Sequence, residues 1–494
     1  MGAEATAFIM DQLYFGDFSI LEQVSSGDAF ERVNLVGRKG PPAHAIHAPP
    51  LWLVATVGTS VEPVPATWPS LEGDALAAKR SADGSRLIGL GANGGKVDLI
   101  CKIAAAARFR AEELKRPIFI IALSGEEAHG SGVRSTLQMV EDSGGVALVH
   151  APTALRFWTD HPGCLSLRLE LTRRVRHRRM PPHSGFWEIR IEGRSAHALA
   201  DPASAPPPPT QAKRSAGPRG DARAAAARGS EPPADDNALA RGYQVLDLLR
   251  AMGDVRILSI DAGESGNRVP GRCTLRLATS FETLPSLRAL GPGIEASPIQ
   301  DGTALPFPID GIFSAWHTAR DAGLNAITPR LGLPRNAPAA RPPLGAWTGR
   351  LVSDRDAISG WLMFWTGPGV DNGDLVDRFA SAVQNALKGA DEIEVGIEVL
   401  QDRVAFAGSD GLDRLGPVAR RAADKSGVSR ETTGGLFSSD AGLLRQHGLE
   451  TLVFGPGGPI SHLYRDDESI DVEAIETATH FYEMLIQQWC VEAR

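Results

Sequence analysis

Short apolar runs alternate with amphipathic stretches over the first part of the chain. The runs at 51–57, 118–123 and 146–149 are typical of strands that are buried on both faces. Residues 97–116 and 131–140 carry apolar side chains at helical spacing. Repeated strand–helix–strand units predict an α/β fold, in which helices flank a mostly parallel sheet.

The middle of the chain has a different pattern. Residues 187–192 alternate like a half-exposed strand, and 239–252 resemble an amphipathic helix. Residues 203–236 are rich in Pro, Ala, Arg, Ser and Gly, which predicts a flexible insertion that cannot bury enough apolar surface to fold. A second stretch, 284–349, is rich in Pro and Gly and is predicted to be irregular, with partial packing.

The C-terminal part returns to the first pattern. Residues 417–426 and 472–490 are predicted helices, and 451–454 is a predicted strand. We therefore expect a discontinuous α/β domain over 1–183 and 403–494, with a smaller α+β domain inserted over 184–402.

Composition excludes several classes of protein. The 494 residues are 43% hydrophobic, and 51 basic against 59 acidic residues give a net charge of −8, which argues against nucleic-acid or membrane-surface binding. The sequence contains no run of about 18 apolar residues, which a membrane-spanning helix would need. The four cysteines form no CxxC pair, and the N-terminus has no basic stretch followed by an apolar one. The expected compartment is the cytoplasm.

Candidate chemistry lies in loops that follow the predicted strands, where open parallel sheets place their ligand sites. The adjacent carboxylates Glu126 and Glu127 could bind a metal and take a proton from metal-bound water, although a bare pair is more often a solvated loop. GLGANGGK at 89–96 lacks the spacing of a phosphate-binding loop. His462, taken alone, is typical of a surface or packed histidine.

Several motifs in order carry a resemblance to a known family: RLIGLGANGGK, IFIIALSGEEAHGSG, VHAPTAL, IRIEGRSAHA, SGNRVPG and SSDAGLLRQHGLETLVFGPGGPISH. They resemble the di-zinc metallopeptidase and amidohydrolase family of aminoacylase, succinyl-diaminopimelate desuccinylase, acetylornithine deacetylase and glutamate carboxypeptidase. The resemblance implies a zinc exopeptidase-like fold with an inserted lid or dimerisation domain. It also implies hydrolysis of amide bonds by two zinc ions and a glutamate base.

Some family positions are retained. The resemblance assigns the general base to Glu126, and a carboxylate and a histidine ligand of one metal to Glu127 and His462. His197 matches the catalytic histidine of the lid. Asn267 in SGNRVPG and Gly457 in FGPGG match substrate-binding positions.

Three of the five expected metal ligands are absent. Ser60, or Thr59 if the alignment shifts by one residue, stands where the family's HxDxVP motif has its ligand histidine. Gly94 replaces the bridging aspartate, and Ala151 replaces the glutamate of EPT. Ser60 and Ala151 occupy the positions of two ligands of the same metal, so we expect that site to be lost. Zinc binding is expected to be weak or absent, with at most one ion.

Three functions remain open at this point. The first is an impaired or inactive homologue that binds a peptide-like or acyl-amino-acid-like ligand, or a partner. The lid implies a homodimer, or a heterodimer with an active relative. The second is an active hydrolase with one metal or with replacement ligands from His129, His150, Glu62 or Asn93. A metal-free serine hydrolase using Ser60 is the third, although no motif places a partner histidine.

Overall fold

A computed structural model describes most of the chain. The described residues are 3–25, 32–43, 47–58, 68–72, 74, 76–124, 131–174, 185–193, 237–264, 266, 268–285, 287, 291–299, 307–332, 346–407, 412–435, 438–458 and 467–492. The predicted insertion at 203–236 lies outside them. Within the described ranges no helix is both long enough and apolar enough to cross a membrane.

The strands, in chain order, are β1 (Ser19–Ser25), β2 (Arg32–Lys39), β3 (Leu51–Thr56), β4 (Lys79–Arg80), β5 (Arg86–Ile88), β6 (Ile118–Leu123), β7 (Val146–Val149), β8 (Phe157–His161), β9 (Gly163–Arg173), β10 (Gly185–Glu192), β11 (Val255–Ala262), β12 (Arg272–Thr279), β13 (Ile294–Pro298), β14 (Ala346–Asp354), β15 (Ala357–Thr366), β16 (Ile393–Arg403), β17 (Phe406–Ala407), β18 (Thr432–Gly434), β19 (Glu450–Val453) and β20 (Ser469–Asp471). The helices are α1 (Ala3–Phe15), α2 (Gly95–Ala107), α3 (Ser131–Ser143), α4 (Ala238–Arg250), α5 (Asp310–Ile327), α6 (Asn372–Ala386), α7 (Leu415–Ser426), α8 (Ala441–Gln446) and α9 (Val472–Ile486).

The first sheet confirms the predicted α/β class. Its strand order is β1-β2-β6-β3-β7-β19-β8-β17, with β18 beside β8. The four central strands β6, β3, β7 and β19 are parallel, and antiparallel pairs extend the sheet on both sides. Apolar side chains of α2, α7 and α9 join one buried cluster with this sheet, and side chains of α3 and α8 join another.

The second sheet is antiparallel and has the order β13-β10-β12-β11-β14-β15-β9-β16. It includes β9, which precedes the predicted domain boundary at 184. Leu165, Leu167, Leu169 and Leu171 of β9 are fully buried, and this alternation is typical of a strand with one core face. By its hydrogen bonds, therefore, the second sheet begins at Gly163.

The sequence predicts irregular structure over 284–349, but the centre of this stretch is a helix. Residues Asp310–Ile327 form the helix α5, in which Trp316 is fully buried and donates a hydrogen bond from Nε1 to the Leu169 oxygen at 2.9 Å. A Cβ at Gly323 would lie 2.4 Å from the Phe379 ring, so this glycine permits the close approach of α5 and α6. The helix was not predicted because the Pro and Gly residues on both sides of it dominate the composition of the whole stretch.

Candidate functional site

The predicted site loops follow one edge of the first sheet. In the register of the parallel strands, Thr56 of β3 pairs with Leu123 of β6, and Val149 of β7 pairs with Val453 of β19. Because parallel strands end at the same edge, the segments that follow all four strands leave the sheet on the same side. This is the edge at which the sequence predicts the metal centre.

The start of α2 lies against the end of β3. A Cβ added to Gly95 would lie 2.0 Å from the backbone oxygen of Thr56, so only glycine allows this contact. Gly94 is the N-cap of α2 and provides no side-chain cap. Gly94, where the resemblance expects the bridging aspartate, therefore lies at the start of α2, next to the end of β3.

Gly94 differs from its neighbour because it has space for a side chain. Its backbone is extended, with φ −104° and ψ −167°, which any residue adopts. The nearest atom to a Cβ at this position is the Gly91 oxygen at 3.4 Å, an ordinary contact. The expected bridging carboxylate is thus absent from a position that could hold one.

Ala151, in contrast, is part of the core. Only 2% of its surface is exposed, and it belongs to an apolar cluster that includes Val149, Trp158 and Val453. An ionised carboxylate at this position would need a cation or several hydrogen bonds to offset its desolvation. The described structure therefore places an apolar methyl group where the resemblance expects a metal ligand.

Gly457 lies between the two altered segments. A Cβ on Gly457 would lie 2.3 Å from the Asn93 oxygen and 3.0 Å from the Pro152 Cβ. The Gly458 nitrogen also donates to Asn93 Oδ1 at 2.7 Å. The structure thus brings Asn93 and Pro152, the neighbours of Gly94 and Ala151, close to Gly457. A side chain at 457 would overlap Asn93, which explains the glycine. The substrate-binding role of Gly457 stays a prediction.

Other predicted site residues are not among those that the structure describes. Outside the described ranges lie Ser60, Glu62, Glu126, Glu127, His129, His197, Asn267 and His462. Their assigned roles stay predictions from the resemblance.

A buried charged network, which sequence reasoning missed, lies beneath this edge. It consists of Asp98 and Lys102 of α2, His150 and Tyr482. Lys102 Nζ lies 2.6 Å from Asp98 Oδ2 and donates to the Val54 oxygen at 2.8 Å. The Tyr482 hydroxyl donates to Asp98 Oδ1. The signal in the sequence was the i,i+4 spacing of Asp98 and Lys102.

Asp98 is the centre of this network, because Lys102, His150 and Tyr482 all contact its carboxylate. Burial alone would raise the pKa of Asp98, but the charges of Lys102 and His150 hold it below its ordinary value. Burial lowers the pKa of Lys102, and the Asp98 charge opposes that shift. Burial and the Asp98 charge raise the pKa of Tyr482 well above its ordinary value.

Two candidate replacement ligands have structural partners. The imidazole Nδ1 of His150 lies 3.2 Å from Asp98 Oδ2, and His150 is 8% exposed. Asn93 is fully buried, its backbone nitrogen donates to Glu468 Oε1 at 2.9 Å, and its Oδ1 accepts from Gly458. Asn93 therefore holds two loops together through its backbone and its side chain. The Nδ1 contact of His150 with a carboxylate is one that metal-ligating histidines commonly make, so it does not exclude His150 as a ligand.

A second missed feature is a serine–histidine pair away from Ser60. Ser439 Oγ lies 2.8 Å from His161 Nε2, and His161 Nδ1 lies 2.9 Å from the Pro162 oxygen. Both side chains are buried, and the adjoining cavity holds only about 10 Å³. A space of that size admits about one water molecule. The pair therefore stabilises the loop before α8 in this conformation and gives no support to a serine hydrolase.

The described residues do not fit the metal whose ligand positions the resemblance places at Ser60, Gly94 and Ala151. A catalytic zinc needs three protein ligands from histidine, cysteine or carboxylate side chains. Gly94 and Ala151 supply none, and the described ranges contain no group of three such residues that could hold a metal ion.

The two glycines at the start of α2 give a first prediction. Gly95→Ala is expected to lower the free energy of unfolding by about 2 kcal/mol or more, because its Cβ would overlap the Thr56 oxygen. Gly94→Ala should cost less than about 1 kcal/mol, the effect of a poorer N-cap. Urea unfolding of both variants measures the difference. Equal losses would contradict the close contact at Gly95.

Comparisons with known proteins agree with this architecture. The model of Peptidase family M20/M25/M40 matches residues 63–488. The fold is similar to that of human carnosine dipeptidase 1, with 11% identity over 98% of this chain and 90% of that chain and a TM-score of 0.55. The dipeptidase Dug1p from Saccharomyces cerevisiae has 11% identity over 98% and 90% of the two chains, with a TM-score of 0.52. The M20 family metallo-carboxypeptidase Sso-CP2 from Sulfolobus solfataricus has 11% identity over 98% and 93%, with a TM-score of 0.50. No curated protein matches this sequence.

Proposed function

The chain belongs to peptidase family M20/M25/M40, and we propose that it is a member with an impaired metal centre, which binds a ligand without hydrolysing it. The ligand class is a small peptide or an N-acyl amino acid, bound at the carboxyl edge of the first sheet. Glu127 and His462 leave at most one weak metal position.

One observation carries this proposal: two expected ligand positions lie at the same edge of the first sheet, and neither has a side-chain atom that can bind a metal. Gly94 has no side chain, and the Ala151 methyl group belongs to a buried apolar cluster. A site with two remaining ligands lacks both the coordination number and the negative charge that hold a catalytic zinc ion. Glu126 then has no metal-activated water from which to take a proton.

The alternative of an active hydrolase depends on replacement ligands. His150 and Asn93, the two candidates in the described ranges, are engaged with Asp98 and with Gly458 and Glu468. Asn93 Oδ1 could bind a metal only by giving up its hydrogen bond from Gly458. His150 could keep its Nδ1 contact with Asp98 and bind a metal through Nε2. The proposal therefore depends on the residues at 94 and 151 and not on the contacts of His150.

The test compares hydrolysis with binding in the same purified protein. With micromolar zinc present, we expect no zinc-dependent hydrolysis of N-acetyl amino acids or dipeptides above that of Glu126→Gln. We expect N-acetyl amino acids to raise the melting temperature, and His197→Ala and Asn267→Ala to reduce that increase, because the resemblance places both residues on the substrate. Zinc-dependent turnover that Glu126→Gln abolishes would overturn the proposal and establish the active hydrolase.

A further inference from the structure

His150 lies next to both altered positions of the candidate site. It follows the last residue of β7 and precedes Ala151, and its backbone nitrogen donates to the Val54 oxygen of β3 at 2.9 Å. Its Nδ1 lies 3.2 Å from Oδ2 of Asp98, which comes one helical turn after Gly94 in α2. The imidazole is therefore close to two positions that lack their expected ligands.

The two ring nitrogens of His150 have different surroundings. Nδ1 is enclosed by protein, and a Cβ on Gly455 would lie only 2.9 Å from it. Nε2, in contrast, is not enclosed, and none of the described residues forms a hydrogen bond with it. The 8% of this residue that is exposed thus includes a polar atom that a ligand can reach.

The buried network decides which nitrogen carries the proton of a neutral ring. A bare Nδ1 would direct its lone pair at the Asp98 carboxylate, and the two would repel each other. Lys102 and Tyr482 hold the same carboxylate in place from α2 and α9. The proton therefore belongs on Nδ1, and Nε2 is an acceptor whose direction is fixed by the network.

We propose that His150 Nε2 accepts a hydrogen bond from the amide N–H of the bound ligand. The ligand is that of the proposed function, on which this inference rests, and its class is narrowed to compounds with a secondary amide. Neither Gly94 nor Ala151 has a side-chain atom that could accept this hydrogen bond instead. A metal ion at Nε2 would need further ligands, and the described ranges contain no group of three such residues.

The experiment is isothermal titration calorimetry of the full chain with two compounds that differ in one group. N-acetyl-L-alanine has the amide N–H, and O-acetyl-L-lactate has an ester oxygen in its place. The buffer contains a metal chelator and is held at about pH 8, which favours a neutral imidazole. We expect the amide to bind at least about tenfold more tightly, because the ester leaves Nε2 unpaired and turns a second acceptor toward it.

Variants of His150 locate the acceptor. His150→Phe should bind the amide and the ester with affinities within about twofold of each other, whereas a merely structural role would weaken both ligands equally and keep their ratio. His150→Gln should keep part of the preference, because its side chain also carries an acceptor. The matched control is His480→Phe, at a histidine of α9 whose side chain is 48% exposed, and it should leave the ratio unchanged. Circular dichroism confirms that each variant is folded.

The outcomes separate this inference from the proposed function. Equal affinity of the wild type for amide and ester would overturn the inference and leave the binding function in place. An amide preference that persists in His150→Phe would also overturn it, as would a lower zinc content of His150→Phe after dialysis against zinc, which would make Nε2 a metal ligand. No heat with either compound up to about 10 mM would overturn the ligand class of the proposed function, and the inference with it.

Discussion

Replacing Ser60 by histidine, Gly94 by aspartate and Ala151 by glutamate is expected to raise the zinc content from below one ion per chain to about two. These changes return the ligand types that the family resemblance assigns to the three positions, which gives each metal three protein ligands with the bridge shared. Gly94 already has space for a Cβ atom and an extended backbone that aspartate can adopt. Aspartate is also a better N-cap than glycine and carries a favourable charge at the start of α2.

Elemental analysis after dialysis against micromolar zinc measures this gain. The matched control is Ser60→His, Gly94→Asn and Ala151→Gln, which keeps the size of the side chains without the two carboxylates, and it should stay below one ion. Ala151→Glu alone should lower the melting temperature because it buries a charge in the Val149–Trp158 cluster. In the triple variant, zinc should recover that loss. Unchanged zinc content in the triple variant would contradict the assigned ligand positions.

Lys102→Met is expected to lower the free energy of unfolding by about 3–5 kcal/mol, the cost of leaving a buried charge without its partner. Lys102 and Asp98 are both fully buried, and the substitution also removes the hydrogen bond to the Val54 oxygen. Urea unfolding near neutral pH measures the loss. Lys102→Met combined with Asp98→Asn should be less destabilised than Lys102→Met, because the unpaired charge is gone.

Arg378→Met is the matched control for this effect. Arg378 and Asp374 have the same i,i+4 geometry in α6, with a 2.7 Å separation, but their side chains are 41% and 45% exposed. Removing such a pair should change the free energy of unfolding by no more than about 0.5 kcal/mol. Similar losses in Lys102→Met and Arg378→Met would show that the buried network does not carry the stability assigned to it.

Local apolar patterns were sufficient to predict the four central parallel strands of the first sheet, but not the strands on either side of them. The runs at 118–123 and 146–149 coincide with β6 and β7, because strands covered on both faces are continuously apolar. The helix predicted over 97–116 ends at Ala107 instead. Phe109 and Leu114 continue the apolar spacing and are buried, but they pack on the core from the turns beyond α2.

The candidate site was predictable only where a motif fixes the spacing. The motifs identified Gly94 and Ala151, and the parallel register brings both segments to one edge of the sheet. The Asp98–Lys102 pair was not predictable as a buried feature, because an i,i+4 pair is usually a solvated helix face. Its burial depends on β3, β7 and α9, which come from distant parts of the chain.

The zinc content of the wild-type protein tests the central claim most directly. The chain is dialysed against micromolar zinc, separated from free metal, and measured by elemental analysis with protein concentration from amino-acid analysis. An impaired centre predicts less than one zinc ion per chain, with any bound zinc lost on brief exposure to a chelator. Two tightly held ions per chain would contradict the account, because they would require ligands that Ser60, Gly94 and Ala151 do not supply.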